Sequence, residues 1–294
     1  YRKEVEAGTF SGTIKEYVKR NHDLQAETLK RYDISLDIYE GSGLGHAGEV
    51  QHTISEAYVK RLYDHGFLHL ESTQQFYDTK EDMFLNGRQV VGHCPVQGCK
   101  SEKAYADECD LGHQYDPADL INPISSVSGT VPEMRTVNNW YFDLPSLAYI
   151  VKDYVEAAEQ DEQVRPLVPK TIKEFLVPPI IYIKVELYDA YTQIVDKLPA
   201  HEYRDAAKGK QSFELEFASV ADRDQARGVL TEANIRFRTG KALVPFRISG
   251  NASWGIPCPE IDGVSGLTIW CWPESLWAPL SFTMARNDEQ GLSR

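Results

Sequence analysis

The spacing of apolar and polar positions predicts helices in the first part of the chain, interrupted by one strand. Residues 1–32 are expected to be helical, because apolar side chains recur there at helical spacing. Residues 34–39 alternate apolar and polar side chains, which predicts a half-buried strand. The glycine-containing stretch 41–48 indicates a flexible connection, and residues 49–65 form an amphipathic helical pattern that ends at Gly66.

The pattern then changes to short strands and turns before it becomes helical again. Residues 67–91 predict short strands, with Asn86-Gly87 as a tight hairpin turn. Loop and strand are expected at 126–145, and a helix is expected at 147–161.

The last part of the chain predicts a separate module followed by an apolar segment. Within residues 165–246, a strand at 212–217, a helix at 222–234 and a strand at 235–238 give a βαβ order, so we expect these two strands to be parallel. Residues 247–294 are apolar, aromatic and rich in Pro and Trp, which indicates a buried element.

Composition narrows the class of protein. With a net charge of −13, the surface as a whole does not attract the phosphate backbone of a nucleic acid. Any contact with nucleic acid is therefore expected to be local. No apolar run reaches about 18 residues and no signal peptide opens the chain, so we expect no membrane span.

Five cysteines, an odd number without a secretory signal, favour a reducing compartment, the cytoplasm. Because the chain starts at Tyr1 without an initiator methionine, we expect a fragment.

Three of the cysteines and one histidine have the spacing of a zinc site. Cys94 and Cys99 lie on one turn, and Cys109 and His113 lie on a second turn. Two such turns can bring four ligands onto a tetrahedral Zn²⁺ ion, and four protein ligands make the site structural rather than catalytic. Two alternatives remain open: His93 in place of His113 as the fourth ligand, or three unrelated free cysteines with a surface histidine.

Short motifs around these turns occur in one order along residues 15–150. They are Ile34-Ser35-Leu36-Asp37, Gln75-Phe76-Tyr77-Asp78, Met83-Phe84-Leu85, Arg88, Val90, Gly92, Cys94-Pro95, Asp107-Glu108-Cys109, Val127-Ser128-Gly129-Thr130-Val131-Pro132 and Tyr141-Phe142-Asp143-Leu144-Pro145. As a set they resemble the connective-peptide region of the methionyl-tRNA synthetases, which are class I aminoacyl-tRNA synthetases. The HIGH and KMSKS signatures of that family are absent from the chain.

A second resemblance lies near the end of the chain. The segment 254–259, Trp-Gly-Ile-Pro-Cys-Pro, resembles the class I motif at the return to the catalytic domain. Trp270 and the segment 277–282 are similar to the strand that lines the methionine pocket in the family. The resemblance implies that Trp270, Ala278, Pro279 and Phe282 bind the amino acid.

The resemblance implies an α/β fold: the central part of a nucleotide-binding (Rossmann-like) domain with a connective-peptide zinc knuckle and a small α/β insertion. Residues 1–65 are expected to be a helical segment after the first half of the catalytic domain, and residues 66–150 the connective peptide with the knuckle. Residues 151–246 are expected to be the insertion, and residues 247–294 the return to the catalytic domain with the pocket strand.

The implied activity is that of a methionine–tRNA ligase, which uses ATP and Mg²⁺ to activate methionine and transfers it to tRNA(Met). Because the two ATP-binding signatures are absent, we expect the chain alone to have no aminoacylation activity. Two other classes remain as alternatives. One is a zinc-stabilised binding module or a synthetase-like paralogue without aminoacylation activity, and the other is a leucyl, isoleucyl or valyl enzyme.

Overall fold

The computed structural model describes residues 1–96, 98–113, 115, 117–252 and 254–292. Residues 97, 114, 116, 253 and 293–294, which fall within the predicted ranges 66–150 and 247–294, lie outside the described residues. The fold is mixed α/β, and the chain divides into two compact units. The first unit is Tyr1–Phe142 with Arg247–Arg294, and the second unit is Asp143–Phe246.

The first unit contains four helices and two small sheets together with one larger sheet, counted over the described residues. Its helices are α1 Arg2–Glu6, α2 Ile14–Arg31, α3 Gly45–Asp64 and α8 Cys271–Glu289. Its strands are β1 Leu68–Asp78, β2 Met83–Phe84, β3 Val90–His93, β4 Ile121–Ser125, β5 Glu133–Phe142, β11 Ser249–Gly250 and β12 Thr268–Ile269, and strand β10, Phe246–Arg247, lies at the boundary. No helix in the described part of the chain is both long and apolar enough to cross a membrane.

The helices predicted within residues 1–32 are confirmed at Arg2–Glu6 and Ile14–Arg31, but residues 7–13 between them are not helical. A capping box starts α2: the Thr13 hydroxyl accepts a hydrogen bond from the backbone N–H of Glu16, and the Glu16 carboxylate accepts one from the backbone N–H of Thr13. Helix α3 begins at Gly45, inside the stretch predicted to be a flexible connection, and Gly66 follows it with a φ of +73°.

The strand predicted at 34–39 is wrong, because these residues form neither helix nor strand. Ile34 and Leu36, the apolar residues of the alternating pattern, are about half exposed, at 49% and 52%. An alternating pattern forms a strand only where a neighbouring strand pairs with its backbone. None of the strands in the described residues pairs with this segment.

The larger sheet has the order β10-β5-β1-β2, and β1 and β5 pair antiparallel from Leu68↔Phe142 to Tyr77↔Glu133. The hairpin predicted at Asn86-Gly87 is wrong. Asn86 instead caps a short 3₁₀ turn, because its backbone N–H donates to the Gln89 side chain at 2.9 Å. The turn that joins β1 to β2 lies earlier, at residues 79–82.

Asp78, which is fully buried at the end of β1, organises that turn. One carboxylate oxygen accepts hydrogen bonds from the backbone N–H groups of Lys80 and Glu81 at 3.0 and 3.1 Å. The other oxygen accepts one from the Ser128 hydroxyl at 2.6 Å. Burial acts to raise the pKa of Asp78, but the hydrogen bonds from Ser125, Ser128 and the two backbone groups outweigh it and lower the pKa.

Replacing Asp78 with asparagine is expected to lower the free energy of unfolding by about 2 kcal/mol at pH 7, because charge-assisted hydrogen bonds to a buried group are lost. Since the folded pKa is lowered, the contribution of Asp78 is complete above its unfolded pKa of about 3.9 and is lost as the pH falls through the folded value. Urea unfolding of the two proteins from pH 7 to pH 3 measures this, with the exposed Asp64→Asn as the control. A difference that stays constant over this pH range would contradict the assignment.

The second unit contains a four-stranded antiparallel sheet with helices in a β-α-β-β-α-β order. Its elements are α4 Ala148–Gln160, α5 Leu167–Lys173, β6 Ile180–Lys184, α6 Tyr188–Thr192, β7 His201–Arg204, β8 Ser212–Phe217, α7 Val220–Glu232 and β9 Phe237–Thr239. The predicted helix at 147–161, strand at 212–217 and helix at 222–234 are confirmed, with small shifts at the ends.

The strand order of this sheet is β7-β8-β6-β9. Because β8 and β9 are both antiparallel to β6, they run in the same direction, as the βαβ pattern predicts. They are not neighbours, since β6 lies between them. Alternate residues of the two central strands, among them Ile181, Ile183 and Phe213, are fully buried and form the core with α7.

The end of the chain returns to the first unit through β11 and β12 and finishes in α8, which packs on α3. Residues 277–282, which resemble a pocket strand, lie in this helix instead. Trp277 explains the difference: its indole N–H donates to the Ser55 hydroxyl at 2.7 Å, and its ring stacks on Tyr58. Ser55 and Tyr58 lie three residues apart on one face of α3, so these contacts hold α8 against that face.

Candidate metal centre

Strands β3 and β4 pair antiparallel and support the cysteine turns. Gly92 in β3 donates a hydrogen bond from its N–H to Ala104 at 2.9 Å and accepts one back at 3.2 Å, and Ala104 in turn bridges to Cys109. A Cβ atom on Gly92 would lie 2.6 Å from the carbonyl oxygen of Ile121. Glycine is therefore required where the two turns come together, one residue before His93 and two before Cys94.

Each turn contains a glycine in the left-handed region of backbone space, Gly98 with a φ of +79° and Gly112 with a φ of +80°. In the second turn, the N–H of Gly112 donates to the carbonyl of Cys109 at 2.8 Å, and the N–H of Cys109 donates to the carbonyl of His113 at 3.0 Å. These bonds fold the turn so that the Cys109 and His113 side chains point to the same place.

The ligand atoms of Cys94, Cys99, Cys109 and His113 all lie within 4.8 Å of one another. His113 Nδ1 is 3.2 Å from the Cys99 sulfur, 3.4 Å from the Cys109 sulfur and 3.8 Å from the Cys94 sulfur, and the Cys99 and Cys109 sulfurs are 4.0 Å apart. Bonds of 2.3 Å from zinc to sulfur and of 2.0–2.1 Å to nitrogen give edges of about 3.6–3.8 Å in a tetrahedron. The four ligand atoms therefore fit a tetrahedral Zn²⁺ ion.

The cluster lies against a small apolar core. Cys109 is 3% exposed and belongs to a group of buried residues, and Cys94, Cys99 and His113 are half-buried. That group consists of Phe76, Leu85, Val90, Ala104, Ala106, Cys109 and Leu120. An ion held here is largely shielded from water, which strengthens its attraction for thiolates.

The thiols differ in how easily they lose a proton. Burial raises the pKa of Cys94 to about 11. Burial also opposes ionisation of Cys109, but hydrogen bonds from the backbone N–H groups of His113 and Leu111 outweigh it and lower the pKa of Cys109 to about 6. Burial and the nearby Cys94 and Cys109 charges raise the pKa of Tyr115 to about 12. The lowered pKa favours the thiolate form of Cys109, which is the form that binds a metal cation.

The alternative ligand His93 is exposed at the end of β3. In the described part of the chain, the group of side chains close enough to share an ion includes His113 and not His93. The remaining cysteines lie elsewhere, Cys258 buried and Cys271 exposed, and all five are free thiols.

The four residues assigned to an amino-acid pocket lie at the start of α8 and along it. Trp270 lines a cavity of about 340 Å³ in the first unit. Ala278 and Pro279 lie further along α8 and are not among its lining residues, and Phe282 packs with the cluster of α3 and α8 residues around Ala285. No motif pointed to Glu274, which lines this cavity and accepts a hydrogen bond from the Gln51 side chain of α3.

The family model described as tRNA synthetases class I (M) matches residues 2–187. The chain belongs to this family. The match spans the whole metal cluster and most of the first unit, and it ends before β7, β8, α7 and β9. The resemblance to methionyl-tRNA synthetases is thereby confirmed, and relatives of known name agree with it.

The chain is 35% identical over 158 residues to a methionine–tRNA ligase of Thermofilum pendens, an alignment that covers 53% of the chain and 27% of the relative. It is 31% identical over 165 residues to the methionine–tRNA ligase of Bacteroides fragilis, with 56% of the chain and 23% of the relative covered. The chain thus spans about a quarter of the length of these relatives.

Among solved structures, the methionyl-tRNA synthetase of Mycobacterium tuberculosis bound by methionyl-adenylate is similar to the chain with a TM-score of 0.39 and 12% identity. The superposition covers 90% of this chain and 33% of that chain.

Proposed function

We propose that the chain is a central part of a methionine–tRNA ligase that contains its connective peptide, and that its cysteine and histidine cluster holds a structural Zn²⁺ ion. The observation that carries the proposal is the convergence of four zinc-type ligand atoms within 4.8 Å, inside the segment that the family model matches. Cys94, Cys99, Cys109 and His113 would hold the ion.

A structural role follows from the ligand number. Four protein ligands complete a tetrahedron and leave no position for water or substrate, so the ion would supply a fixed crosslink and no Lewis-acid chemistry. The crosslink would join the turn after β3 to the turn at residues 109–113. The zinc would therefore stabilise the connective peptide rather than take part in the reaction.

The activity proposed for the whole protein is the activation of methionine with ATP and Mg²⁺ and its transfer to tRNA(Met) in the cytoplasm. Names of the relatives support this, since they are methionine–tRNA ligases. The same proposal includes a Rossmann-like catalytic domain and an amino-acid pocket. It also includes the roles given above to residues 1–65, 66–150, 151–246 and 247–294. The alternative of a zinc-stabilised binding module or an inactive paralogue is not favoured by these relatives.

Methionine-dependent exchange of pyrophosphate into ATP tests the activity. The 294-residue chain alone is expected to give no exchange above a control without enzyme, because the HIGH and KMSKS motifs are absent from it. The gene product that contains this chain is expected to show exchange and to charge tRNA(Met). Exchange by the chain alone would overturn its predicted inactivity, and a gene product that fails to charge tRNA(Met) would overturn the ligase function.

A further inference from the structure

The sheet of the second unit has two open edges, strands β7 and β9, because its order is β7-β8-β6-β9 and no further strand in the described residues pairs with either. Strand β9 lies beyond residue 187, where the family match ends, so the family does not account for its surface. An open edge presents unpaired backbone N–H and C=O groups to any extended chain that approaches it. The two edges differ in the charge that lies beside them.

Two residues of β9 direct their backbone groups outward. The N–H of Gly240 donates to the carbonyl of Ile180 at 2.8 Å, so Gly240 occupies a hydrogen-bonded position against β6. Such positions alternate along an antiparallel pair, so the N–H and C=O groups of Phe237 and Thr239 point away from β6. Within the described part of the chain, no other element supplies a partner for these four groups. They can therefore pair with an added strand.

The side chains beside this edge carry positive charge that no carboxylate neutralises. Arg236 and Arg238 are exposed, and neither forms an ion pair within the part of the chain that the structure describes. The Arg238 guanidinium instead lies 5.9 Å from the ring centre of Tyr182 on β6. At the other edge, the arginine of β7, Arg204, is paired with Glu216 at 2.8 Å. Of the two edges, β9 is thus the one that would attract an anionic partner.

The acidic side chains of the sheet lie too far from this edge to oppose an anion there. Glu214 is opposite Tyr182 on the face away from the core, and it belongs to β8, two strands from β9. Strands are spaced about 4.8 Å apart, so a strand added outside β9 would lie about 14 Å from β8, beyond the Debye length of about 8 Å at physiological salt. A nucleic acid stacked on Tyr182 would instead lie directly over Glu214. The face therefore disfavours phosphates, while the edge favours carboxylates.

We propose that the β9 edge binds an acidic, extended peptide segment of a partner protein, which adds to the sheet as a fifth strand. The backbone groups of Phe237 and Thr239 would form the hydrogen bonds, and Arg236 and Arg238 would pair with carboxylates on alternate residues of the peptide. Charges on a short edge strand can instead serve only to prevent such pairing, in which case no peptide binds. The two explanations give opposite results in a binding assay.

The probe is a fluorescein-labelled peptide of alternating glutamate and valine, added to the 294-residue chain and followed by fluorescence anisotropy. We expect saturable binding that weakens as the salt concentration rises. The same peptide with lysine in place of glutamate is expected not to bind. N-methylation of the valines, which would lie opposite Phe237 and Thr239, is expected to abolish binding because it removes the N–H donors. Hydrogen exchange of residues 236–240 is expected to slow in the complex, while that of β7 stays unchanged.

The double variant Arg236→Gln with Arg238→Gln is expected to bind the glutamate peptide about fivefold more weakly, with the melting temperature of the parent. The matched control Arg204→Gln, at the other edge, is expected to keep the parent affinity. Equal binding of the lysine peptide, parent affinity in the double variant, or no binding of the glutamate peptide would each overturn the proposal. A labelled oligouridylate that binds more tightly than the peptide and protects residues 236–240 would assign the edge to RNA and overturn it as well.

This inference goes beyond the proposed function, and its assay needs neither methionine, ATP nor tRNA. Peptide binding by a chain whose gene product lacks ligase activity would remove the proposed function and leave the docking edge. Ligase activity in the gene product without peptide binding would remove the docking edge and leave the proposed function.

Discussion

Replacing Cys109 with alanine is expected to lower the bound zinc from one ion to less than about 0.1 ion per chain, because a tetrahedral structural site does not retain its ion with three ligands at low free zinc. Cys109 is the most buried ligand, and backbone hydrogen bonds lower its pKa and so favour the thiolate that binds zinc. Structural zinc contributes about 10–16 kcal/mol in small zinc-binding peptides, so the turns at residues 94–113 are expected to unfold locally. Metal analysis after dialysis and hydrogen exchange of these turns measure both effects.

Three matched variants make this prediction specific. Cys258→Ala removes another buried cysteine of the same unit and is expected to retain the zinc. His113→Ala is expected to lose it, and His93→Ala, which changes an exposed neighbour of Cys94, is expected to retain it. Zinc retained in Cys109→Ala, or lost in His93→Ala and kept in His113→Ala, would contradict the ligand set.

A second large change, a loss of stability, is expected from a substitution in the second unit. Phe213 is fully buried in the centre of the sheet core, and its ring contacts the rings of Tyr188, Tyr191 and Tyr203. Phe213→Ala is expected to lower the free energy of unfolding of this unit by about 3–5 kcal/mol, since it removes buried apolar surface and leaves a cavity. Urea unfolding, with hydrogen exchange to locate the change in residues 143–246, measures it.

The control for this change is Lys184→Ala, which alters an exposed residue of the adjacent strand β6 and is expected to stay within about 0.5 kcal/mol of the parent. Zinc content is expected to be unchanged in both variants, because the cluster belongs to the first unit. A loss below about 1 kcal/mol in Phe213→Ala would show that this strand does not form the core described here.

The metal cluster could be predicted from the sequence because its four ligands lie within residues 94–113 and its turns depend on local glycines. Local information also sufficed for helices α2 and α7, whose caps at Thr13 and Ser219 are side-chain bonds to residues three positions ahead. Caps and turns of this kind depend on residues only a few positions apart, so they can be recognised in a single sequence.

Features that depend on distant partners could not be predicted. The alternation at 34–39 predicts a strand, but no described strand lies beside it to pair with its backbone. Strand β6 lies between β8 and β9, and its position there depends on a pairing across the module. The cavity beside Trp270 is lined by Ser42 and Glu274, which are 232 residues apart along the chain, and no spacing rule connects them.

The central claim, a zinc ion held by three cysteines and one histidine in a methionyl-tRNA synthetase-like chain, is tested most directly by X-ray absorption at the zinc edge on protein purified without chelators. We predict one zinc per chain with three sulfur ligands at about 2.3 Å and one nitrogen ligand at about 2.0–2.1 Å. Protein without zinc, or zinc surrounded only by oxygen and nitrogen ligands, would contradict the claim.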